Sequence, residues 1–303
     1  MPELPEVETV RRGLLPALEG RRLAHVETRR ADLRFPFPER FAERLIGRTV
    51  EKLDRRAKYL LAHLDDGQVW LTHLGMTGRW SIVGDDLPGS LSDGKPASTF
   101  PESGRVQPGD FYNAAPTDPA HTHVVVRTDR GRLEFNDPRR FGYMDLAPAA
   151  SLAAHPFFAR MGPEPLSADF SGESLAAALK NKKTPIKAAL LDQRVVAGLG
   201  NIYVCEALHR ARISPLRLAG AISKPRLALL AEEIKAVLEE AILAGGSTLR
   251  DYANANGGEG AFQQRFRVYD RGGAPCVTPG CAGVVARIPQ GGRSTFYCKI
   301  CQR

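Results

Sequence analysis

The chain has 303 residues, long enough for two domains with real cores, and its 43% hydrophobic and 25% charged residues are ordinary for a soluble globular protein. Its net charge of +8 and pI of about 9.4 favour a polyanionic partner, nucleic acid first and a membrane surface second. No apolar run reaches the length of a membrane span, and the acidic N-terminus lacks the regions of a signal peptide. We therefore expect a cytosolic protein whose five cysteines are reduced, so that they serve metal binding or chemistry before disulfides.

The first ten residues, MPELPEVETV, combine a helix start with a reactive terminus. Pro5 suits the first helical turn, and Val7 and Val10 fall on one face of the predicted helix. Removal of Met1 would leave the secondary amine of Pro2 beside the carboxylate of Glu3. A neutral terminal amine can attack an electrophilic carbon and form an iminium. Taken alone, the same residues also fit an ordinary processed N-terminus.

Residues 1 to about 147 read mostly as strands after this helix. Two hairpins are predicted, one from Lys58–Leu64 and Gln68–Leu74 and one from His123–Thr128 and Leu133–Asn136. Short strands joined by tight turns indicate an antiparallel sandwich or barrel. Between the hairpins, residues 84–120 are rich in proline, glycine, serine and aspartate, which predicts a flexible or disordered surface insertion.

After Pro148 the pattern becomes helical. We predict helices over 173–181, from the cap Thr184 to about Gln193, from about Asn201 to Ile213, and from the cap Ser223 to Gly245. Gly198 and Gly200 break the chain, which indicates a helix-turn-helix type of unit. Residues 247–265 are polar and glycine-rich, typical of a loop, and short strands surround the cysteines from about Phe266 onward.

Four cysteines near the C-terminus have the spacing C-x4-C-x16-C-x2-C. Two close pairs of thiolates fit tetrahedral zinc, and the intervening residues can form a hairpin with Gln290–Arg293 at its turn. Two disulfides or an iron site are the alternatives. A closed four-thiolate site leaves no position for water, so we expect a structural metal. The ligands are Cys276, Cys281, Cys298 and Cys301.

These features together resemble the formamidopyrimidine-DNA glycosylase family, which removes oxidised purines from DNA. The resemblance covers nearly the whole chain apart from 84–120. Its landmarks are MPELPEVETV, RRAKYL, HLGMTGR, NDPRRFG, GPEPL, GLGNIY, GGSTLRDY and FYCKICQR. This sequence departs from the family in its longer insertion and in the four residues, instead of two, between its first two cysteines.

The resemblance implies an α+β multidomain fold. An N-terminal catalytic antiparallel β-sandwich with flanking helices would occupy 1–147, followed by a linker at 148–165. A helical domain with a helix-two-turn-helix unit would cover 166–265, including a loop at 247–265 that folds over the flipped base. A zinc-ribbon-like β-hairpin finger would complete the chain at 266–303.

The resemblance also implies a bifunctional glycosylase and abasic-site lyase. The target nucleotide is flipped out of the duplex, because its sugar cannot be reached inside the stack. The nitrogen of Pro2 would attack C1′ and displace the base, while Glu3 moves protons at the sugar. Lys58 would contact the lesion and a nearby phosphate. Arg293 would assist the second of two eliminations, which leave a one-nucleotide gap.

Flipping leaves a hole in the base stack. By resemblance, Met76 and Phe141 fill it and Arg139 addresses the orphaned cytosine, residue types that suit an apolar wedge and a hydrogen-bond donor to a base edge. Asn201 and the amides after Gly200 would offer phosphate a helix N-terminus. The other residues that match backbone-contacting positions are His121, Lys183 and Arg293.

Two other functions remain open from the sequence. An endonuclease VIII-type glycosylase shares the fold and the Pro-Glu start but prefers oxidised pyrimidines; Leu4 and the NDPRRFG stretch favour the purine enzyme. A zinc-containing damaged-DNA-binding protein without catalysis would fit the charge and the cysteines equally well, but it has no need of Pro2 and Glu3. The expected partner is duplex DNA with oxidised purine or abasic sites, bound by a monomer of bacterial type without membrane association.

Overall fold

The computed structural model describes residues 2–83, 105–106, 118–247 and 262–303. Most of the predicted insertion at 84–120, and most of the predicted loop at 247–265, lie outside the described residues. The chain divides into two compact units. The first contains Pro2 and residues 6–155, and the second contains residues 3–5, 156–247 and 262–303.

The elements follow the predicted order: a first helix, then mainly strands, then helices, and finally a pair of strands. The helices are α1 Leu4–Leu18, α2 Phe41–Leu45, α3 Gly172–Leu179, α4 Ile186–Leu191, α5 Asn201–Arg210 and α6 Lys224–Leu243. The strands are β1 His25–Thr28, β2 Val50–Arg56, β3 Tyr59–Leu64, β4 Gln68–His73, β5 Arg79–Val83, β6 Arg105–Val106, β7 Thr122–Thr128, β8 Gly131–Asn136, β9 Tyr143–Pro148, β10 Val285–Gln290 and β11 Arg293–Cys298. None of the described helices is long and apolar enough to cross a lipid bilayer.

The first unit contains two antiparallel sheets. One has the strand order β1-β7-β8-β5-β6 and the other β2-β3-β4-β9. Trp70 of β4 and Trp80 of β5 meet edge to face at 5.7 Å, and both belong to one buried core with Val7, Val10 and Leu14 of α1. Two sheets sharing one core form a sandwich, so the predicted sandwich is confirmed and the barrel alternative is wrong.

Both predicted hairpins of this unit are present. β3 pairs with β4 across Asp65–Gly67, and β7 pairs with β8 across Asp129–Arg130. The periodicity of the sequence did not indicate β6, a two-residue strand within the predicted insertion. Its pairing with β5 joins Ile82 to Val106.

The second unit begins its regular structure with α3 and α4. The predicted cap at Thr184 is wrong, because Pro185 itself occupies the N-cap position and α4 starts at Ile186. Pro185 has an extended backbone (ψ 144°) and bridges to Leu218, so it cannot also form the first helical residue. The sequence places Leu227, Leu230, Ile234, Val237 and Ile242 in one apolar stripe along the last helix; in α6 the first four are buried and Ile242 is half-buried.

The C-terminal hairpin joins β10 to β11 through the turn predicted at Gln290–Arg293. Both central residues have positive φ, 57° at Gly291 and 74° at Gly292. This conformation gives the twist that a two-residue hairpin needs, and glycine adopts it without strain. The predicted α+β class, with a sandwich, a helical region and a cysteine-bearing hairpin, is confirmed.

Candidate functional site

Glu3 is buried at the start of α5. Its carboxylate accepts hydrogen bonds from the backbone N–H groups of Ile202 (3.0 Å) and Tyr203 (3.5 Å), the second and third residues of that helix. Free N–H groups at a helix start stabilise a negative charge. The sequence predicts these amides as a phosphate site, but the carboxylate of Glu3 already occupies them. The helix terminus therefore fixes an acid of the protein itself.

Two glycines allow the N-terminal residues to approach α5 this closely. A Cβ atom at Gly200 would lie 2.2 Å from the carboxyl carbon of Glu3, and one at Gly198 would lie 2.6 Å from the side chain of Leu4. Gly198 also has a φ of 78°, which L side chains rarely adopt. The N–H of Leu4 donates to the carbonyl of Gly198 at 3.2 Å. The GLGN sequence at 198–201 therefore leaves the space that the side chains of Glu3 and Leu4 occupy.

A buried lysine lies close to the carboxylate of Glu3. Lys187 of α4 donates to the hydroxyl of Thr295 (2.6 Å) and to the carbonyl of Ser294 (3.1 Å), both on β11. Asn201 donates to the same Ser294 carbonyl at 2.9 Å. Burial lowers the pKa of Lys187; the charge of Arg293 lowers it further, and that of Glu3 opposes the shift. The structure therefore brings Glu3, Asn201 and Arg293 together around a lysine that sequence reasoning missed.

Lys58 lies at the tip of the β2–β3 hairpin, in a two-residue turn with Ala57, whose φ is 52°. His73 lies nearby, where burial, and then the charge of Lys58, lower its pKa to about 3. Its ring stacks on Tyr143 at 5.0 Å, and the hydroxyl of Tyr143 donates to that of Tyr59. Lys58 is therefore close enough to this aromatic group for its charge to act on His73.

Met76, Arg139 and Phe141 are all exposed at loops of the first unit. The exposed fractions are 38% for Met76 and 39% for Phe141, so both apolar side chains are accessible to a partner. The guanidinium of Arg139 lies 4.8 Å from the centre of the Phe141 ring, a cation–π distance. Met76 and Phe141 therefore do not belong to the core.

The remaining two predicted contact residues lie apart from these groups in sequence. His121 is partly buried at the end of a short 3-10 turn, and its Nε2 lies 3.9 Å from a carboxylate oxygen of Asp118. Its carbonyl accepts the N–H of Asp137 at 2.9 Å. Lys183 is exposed on the segment that joins α3 to α4.

The four predicted cysteines converge, with all sulfur atoms within 4.8 Å of one another. The Sγ atoms of Cys276 and Cys301 are 3.7 Å apart, and those of Cys281 and Cys298 are 3.6 Å apart. A tetrahedron with Zn–S bonds of about 2.3 Å has edges of about 3.8 Å, so the donor set fits a four-thiolate zinc site. All four cysteines are free thiols, so the disulfide alternative is wrong.

The longer first cysteine pair is accommodated by a turn. Gly280 has a φ of 73°, and the N–H of Cys281 closes the turn on the carbonyl of Thr278 at 3.0 Å. The N–H groups of Thr278 and Gly283 point at the sulfurs of Cys276 and Cys281, at 3.5 and 3.4 Å. Backbone N–H groups stabilise thiolates. Four intervening residues are therefore compatible with a metal knuckle.

A second buried acid ties α5 to the segment before the cysteines. Glu206 is fully buried, and its two carboxylate oxygens accept the N–H groups of Arg267, Val268 and Tyr269 at 2.8–2.9 Å. Three backbone donors converge on one side chain. This contact orders the chain that leads into the zinc site.

Two family models match the chain. That of the formamidopyrimidine-DNA glycosylase N-terminal domain matches residues 1–144, and that of the formamidopyrimidine-DNA glycosylase H2TH domain matches residues 161–253. The chain is 57% identical over 304 residues to the formamidopyrimidine-DNA glycosylase of Phenylobacterium zucineum, with 100% of both proteins covered. The corresponding protein of Caulobacter vibrioides is 54% identical, with 100% of both covered. The chain belongs to the formamidopyrimidine-DNA glycosylase family.

Solved structures of this glycosylase family agree. The MutM (Fpg) protein of Thermus thermophilus is 37% identical with a TM-score of 0.78, covering 99% of this chain and 98% of that one. The Lactococcus lactis Fpg bound to DNA with an abasic site is 30% identical with a TM-score of 0.80, covering 100% of both chains. A MutM structure that contains carbocyclic 8-oxo-G DNA gives the same identity, coverage and TM-score. The predicted family is thereby confirmed.

The sequence motifs identified the exposed candidate residues and the buried Glu3 and Lys58, but not the buried Lys187 and Glu206. Lys187 and Glu206 each stand within apolar helix sequence, IKAALL and NIYVCEALHR. A single charge on a buried helix face is the signal that could have identified them, because such a charge needs partners. Their partners on β11 and at 267–269 are distant in sequence, so the sequence could not identify them.

Proposed function

We propose that this protein excises oxidised purines, 8-oxoguanine and formamidopyrimidines, from duplex DNA and then cleaves the abasic strand. The observation that carries the proposal is that the buried carboxylate of Glu3 accepts hydrogen bonds from the backbone N–H groups of Ile202 and Tyr203. A DNA-binding module has no need of a buried carboxylate directly after Pro2. An acid held in one position supports proton transfer at a reacting sugar.

The proposed reaction begins after removal of Met1. The nitrogen of Pro2 attacks C1′ of the flipped nucleotide, the bond from C1′ to the base breaks, and the base leaves with a proton. Glu3 supplies a proton to the ring oxygen of the sugar, the bond from C1′ to that oxygen breaks, and the nitrogen of Pro2 becomes an iminium at C1′; Glu3 then receives protons at the sugar. Loss of a sugar proton beside the iminium expels the 3′ phosphate, and a second elimination expels the 5′ phosphate. Amine catalysis of this kind divides one difficult step into easier ones.

Cationic residues take the supporting roles. We assign Lys58 to the lesion and a neighbouring phosphate, and Arg293 to the second elimination. Lys58 has its backbone fixed by a tight hairpin turn, and Arg293 begins β11 beside the group that contains Glu3. The proposed contacts to the DNA backbone are His121, Lys183 and Asn201.

Met76, Phe141 and Arg139 are assigned to the duplex that the flipped base leaves behind. Exposed apolar side chains can enter a vacated base stack. A guanidinium can donate several hydrogen bonds to the orphaned cytosine, and stacking on Phe141 keeps Arg139 beside the wedge. We place this activity in the cytoplasm, on the chromosome. The structural Zn²⁺ of the cysteine site stabilises the finger and takes no part in the chemistry.

Single-turnover excision decides between the candidate functions. We expect faster release of 8-oxoguanine opposite cytosine than of thymine glycol from duplexes of the same sequence. Faster release of thymine glycol would instead assign the protein to the pyrimidine-specific enzymes. Tight binding of both duplexes without release of either base would identify a damage-binding protein. A Pro2→Gly variant, which loses the secondary amine, serves as the control for background hydrolysis.

A further inference from the structure

The loops that carry Met76 and Phe141 are neighbouring crossovers between the two sheets of the first unit. One connects β4 to β5, and the other connects β8 to β9. Their ends are paired on both sides, His73 with Tyr143 and Arg79 with Asn136. The two backbones touch between these pairs, because a Cβ atom at Gly75 would lie 2.2 Å from the carbonyl carbon of Phe141. The loops therefore form one surface element.

A fully buried carboxylate joins these loops at their centre. Asp137 accepts the hydroxyl of Thr77, from the first loop, at 2.5 Å through Oδ1. Its Oδ2 accepts the N–H of Gly142, at the end of its own loop, at 2.7 Å. The hydroxyl oxygen of Thr77 in turn accepts the N–H of Arg139 at 3.2 Å. This chain of hydrogen bonds reaches Thr77 directly after Met76, and it reaches Arg139 two residues before Phe141 and Gly142 directly after it.

The backbone of Asp137 is fixed as well. Its N–H donates to the carbonyl of His121 at 2.9 Å, and its carbonyl lies 3.0 Å from Nε2 of His123 and accepts the N–H of Arg140 at 3.1 Å. Arg140 has a φ of 54°, which is strained for a side chain other than glycine. Strained backbone persists only where its surroundings hold it. Asp137 is thus a fixed point to which both loops attach.

We propose that Asp137, through Thr77, is a positioning residue that holds Met76, Arg139 and Phe141 as one preformed element for the strand opposite the lesion. This inference rests on the proposed function of those three side chains. A wedge that is already ordered loses little conformational entropy when it enters DNA. Asp137 itself would touch neither base nor sugar. Its loss should weaken recognition of the opposite base without altering the chemistry at C1′.

The test compares two threonines with the same bonding pattern. Thr77 donates to Asp137 and accepts the N–H of Arg139. Thr128 donates to the carbonyl of Ala17 and accepts the N–H of Arg130, in the same unit but in a different loop. Thr77→Val and Thr128→Val each remove one such hydroxyl with little change in volume. Thr77→Ser restores the hydroxyl. Arg139→Ala shows the effect of losing the side chain that would bind the cytosine opposite the lesion.

We expect Thr77→Val to lower excision of 8-oxoguanine opposite cytosine about tenfold, the effect of leaving buried partners unsatisfied. Its preference for cytosine over adenine opposite the lesion should fall towards that of Arg139→Ala. Cleavage of a single-stranded abasic oligonucleotide, which has no opposite base, should stay within about twofold of the parent. Thr77→Ser and Thr128→Val should keep the parent preference.

Equal effects of Thr77→Val and Thr128→Val on opposite-base preference would overturn the inference, as would a parallel loss of single-stranded cleavage. Hydrogen exchange provides a readout that is independent of activity. The amides of Arg139 and Gly142 should exchange faster in Thr77→Val than in Thr128→Val, and unchanged exchange would also contradict the inference. Failure of the parent to excise 8-oxoguanine would refute the proposed function instead, while the exchange experiment would still test the role of Asp137.

Discussion

The two groups of candidate residues are built in opposite ways. In the first unit, Met76, Arg139 and Phe141 are exposed, and the acid that orders their loops, Asp137, is hidden. In the second unit, the candidate acid Glu3 is itself hidden and is fixed by helix amides. A residue that enters DNA must be accessible, so its order comes from a buried neighbour. A residue that transfers protons gains from being held directly.

The largest effect that would distinguish these designs is expected at Glu3. Glu3→Gln keeps an oxygen that can accept the Ile202 N–H but removes the negative charge. We expect excision of 8-oxoguanine to fall about a thousandfold, the scale of a lost proton-transfer group, and the free energy of unfolding to fall by about 1 kcal/mol, because the new NH₂ group faces the N–H of Tyr203. The measurement is single-turnover excision together with a melting curve. Glu239→Gln, at an exposed position of α6, is the matched control, and a Glu3→Gln variant with parent activity would refute the assignment.

Removal of zinc tests how far the second unit depends on its metal. Because zinc would join the two cysteine pairs of the finger, a chelator should weaken DNA binding by roughly a hundredfold as phosphate contacts are lost. Hydrogen exchange in β3, β4, β7 and β8 of the first unit should not change. Metal content is followed by elemental analysis. Unchanged DNA binding by metal-free protein would show that the finger does not need zinc.

A smaller effect is expected from Glu206, the buried acid that serves structure rather than chemistry. In Glu206→Gln, an NH₂ group would face at least one of the three N–H groups that the carboxylate now accepts. We expect a loss of about 2 kcal/mol in the free energy of unfolding, the cost of unsatisfied buried donors. Chemical denaturation measures it, with exposed Glu232→Gln as the control. Parent stability in Glu206→Gln would mean that 267–269 is ordered without this acid.

The smallest effect concerns His73, whose pKa is lowered from 6.5 to about 3 by burial and then by Lys58 and Arg34. Between these values the unfolded chain binds a proton that the folded chain does not. The stability that neutral His73 contributes is therefore present above pH 6.5 and is lost as the pH falls towards 3. Asn in its place keeps an acceptor for the Gly75 N–H but cannot titrate. The unfolding free energy of His73→Asn should therefore depend less steeply on pH between about 5 and 7, and equal slopes would contradict this.

The sequence predicts those parts of the molecule whose signal is local. The hairpin turns at Asp65–Gly67 and Gln290–Arg293, the buried stripe of α6 and the cysteine spacing all depend on neighbouring residues, and the structure has each of them. Strand β6 has only two residues, too few for periodicity. The order β1-β7-β8-β5-β6 joins distant segments, so it could not be deduced.

The candidate site divides in the same way. The motif identifies Glu3, but its hydrogen-bond partners lie about two hundred residues away at the start of α5. The sequence therefore could not predict which groups hold its carboxylate. The same contact explains Gly200, which leaves room for the carboxylate of Glu3. Lys187 and Asp137 carry polar groups whose partners appear only in the fold. Polar contacts between residues far apart in the sequence are thus the part of the site that the sequence could not predict.

Borohydride trapping tests the central claim most directly. Protein with Pro2 confirmed as its first residue would be reduced on a duplex that carries 8-oxoguanine opposite cytosine, with a Pro2→Gly variant treated in parallel. The account predicts a covalent protein–DNA adduct whose link maps to residue 2, because reduction fixes the iminium on the terminal nitrogen. The absence of an adduct from folded, zinc-loaded protein that binds the duplex, or a link at Lys58, would contradict it.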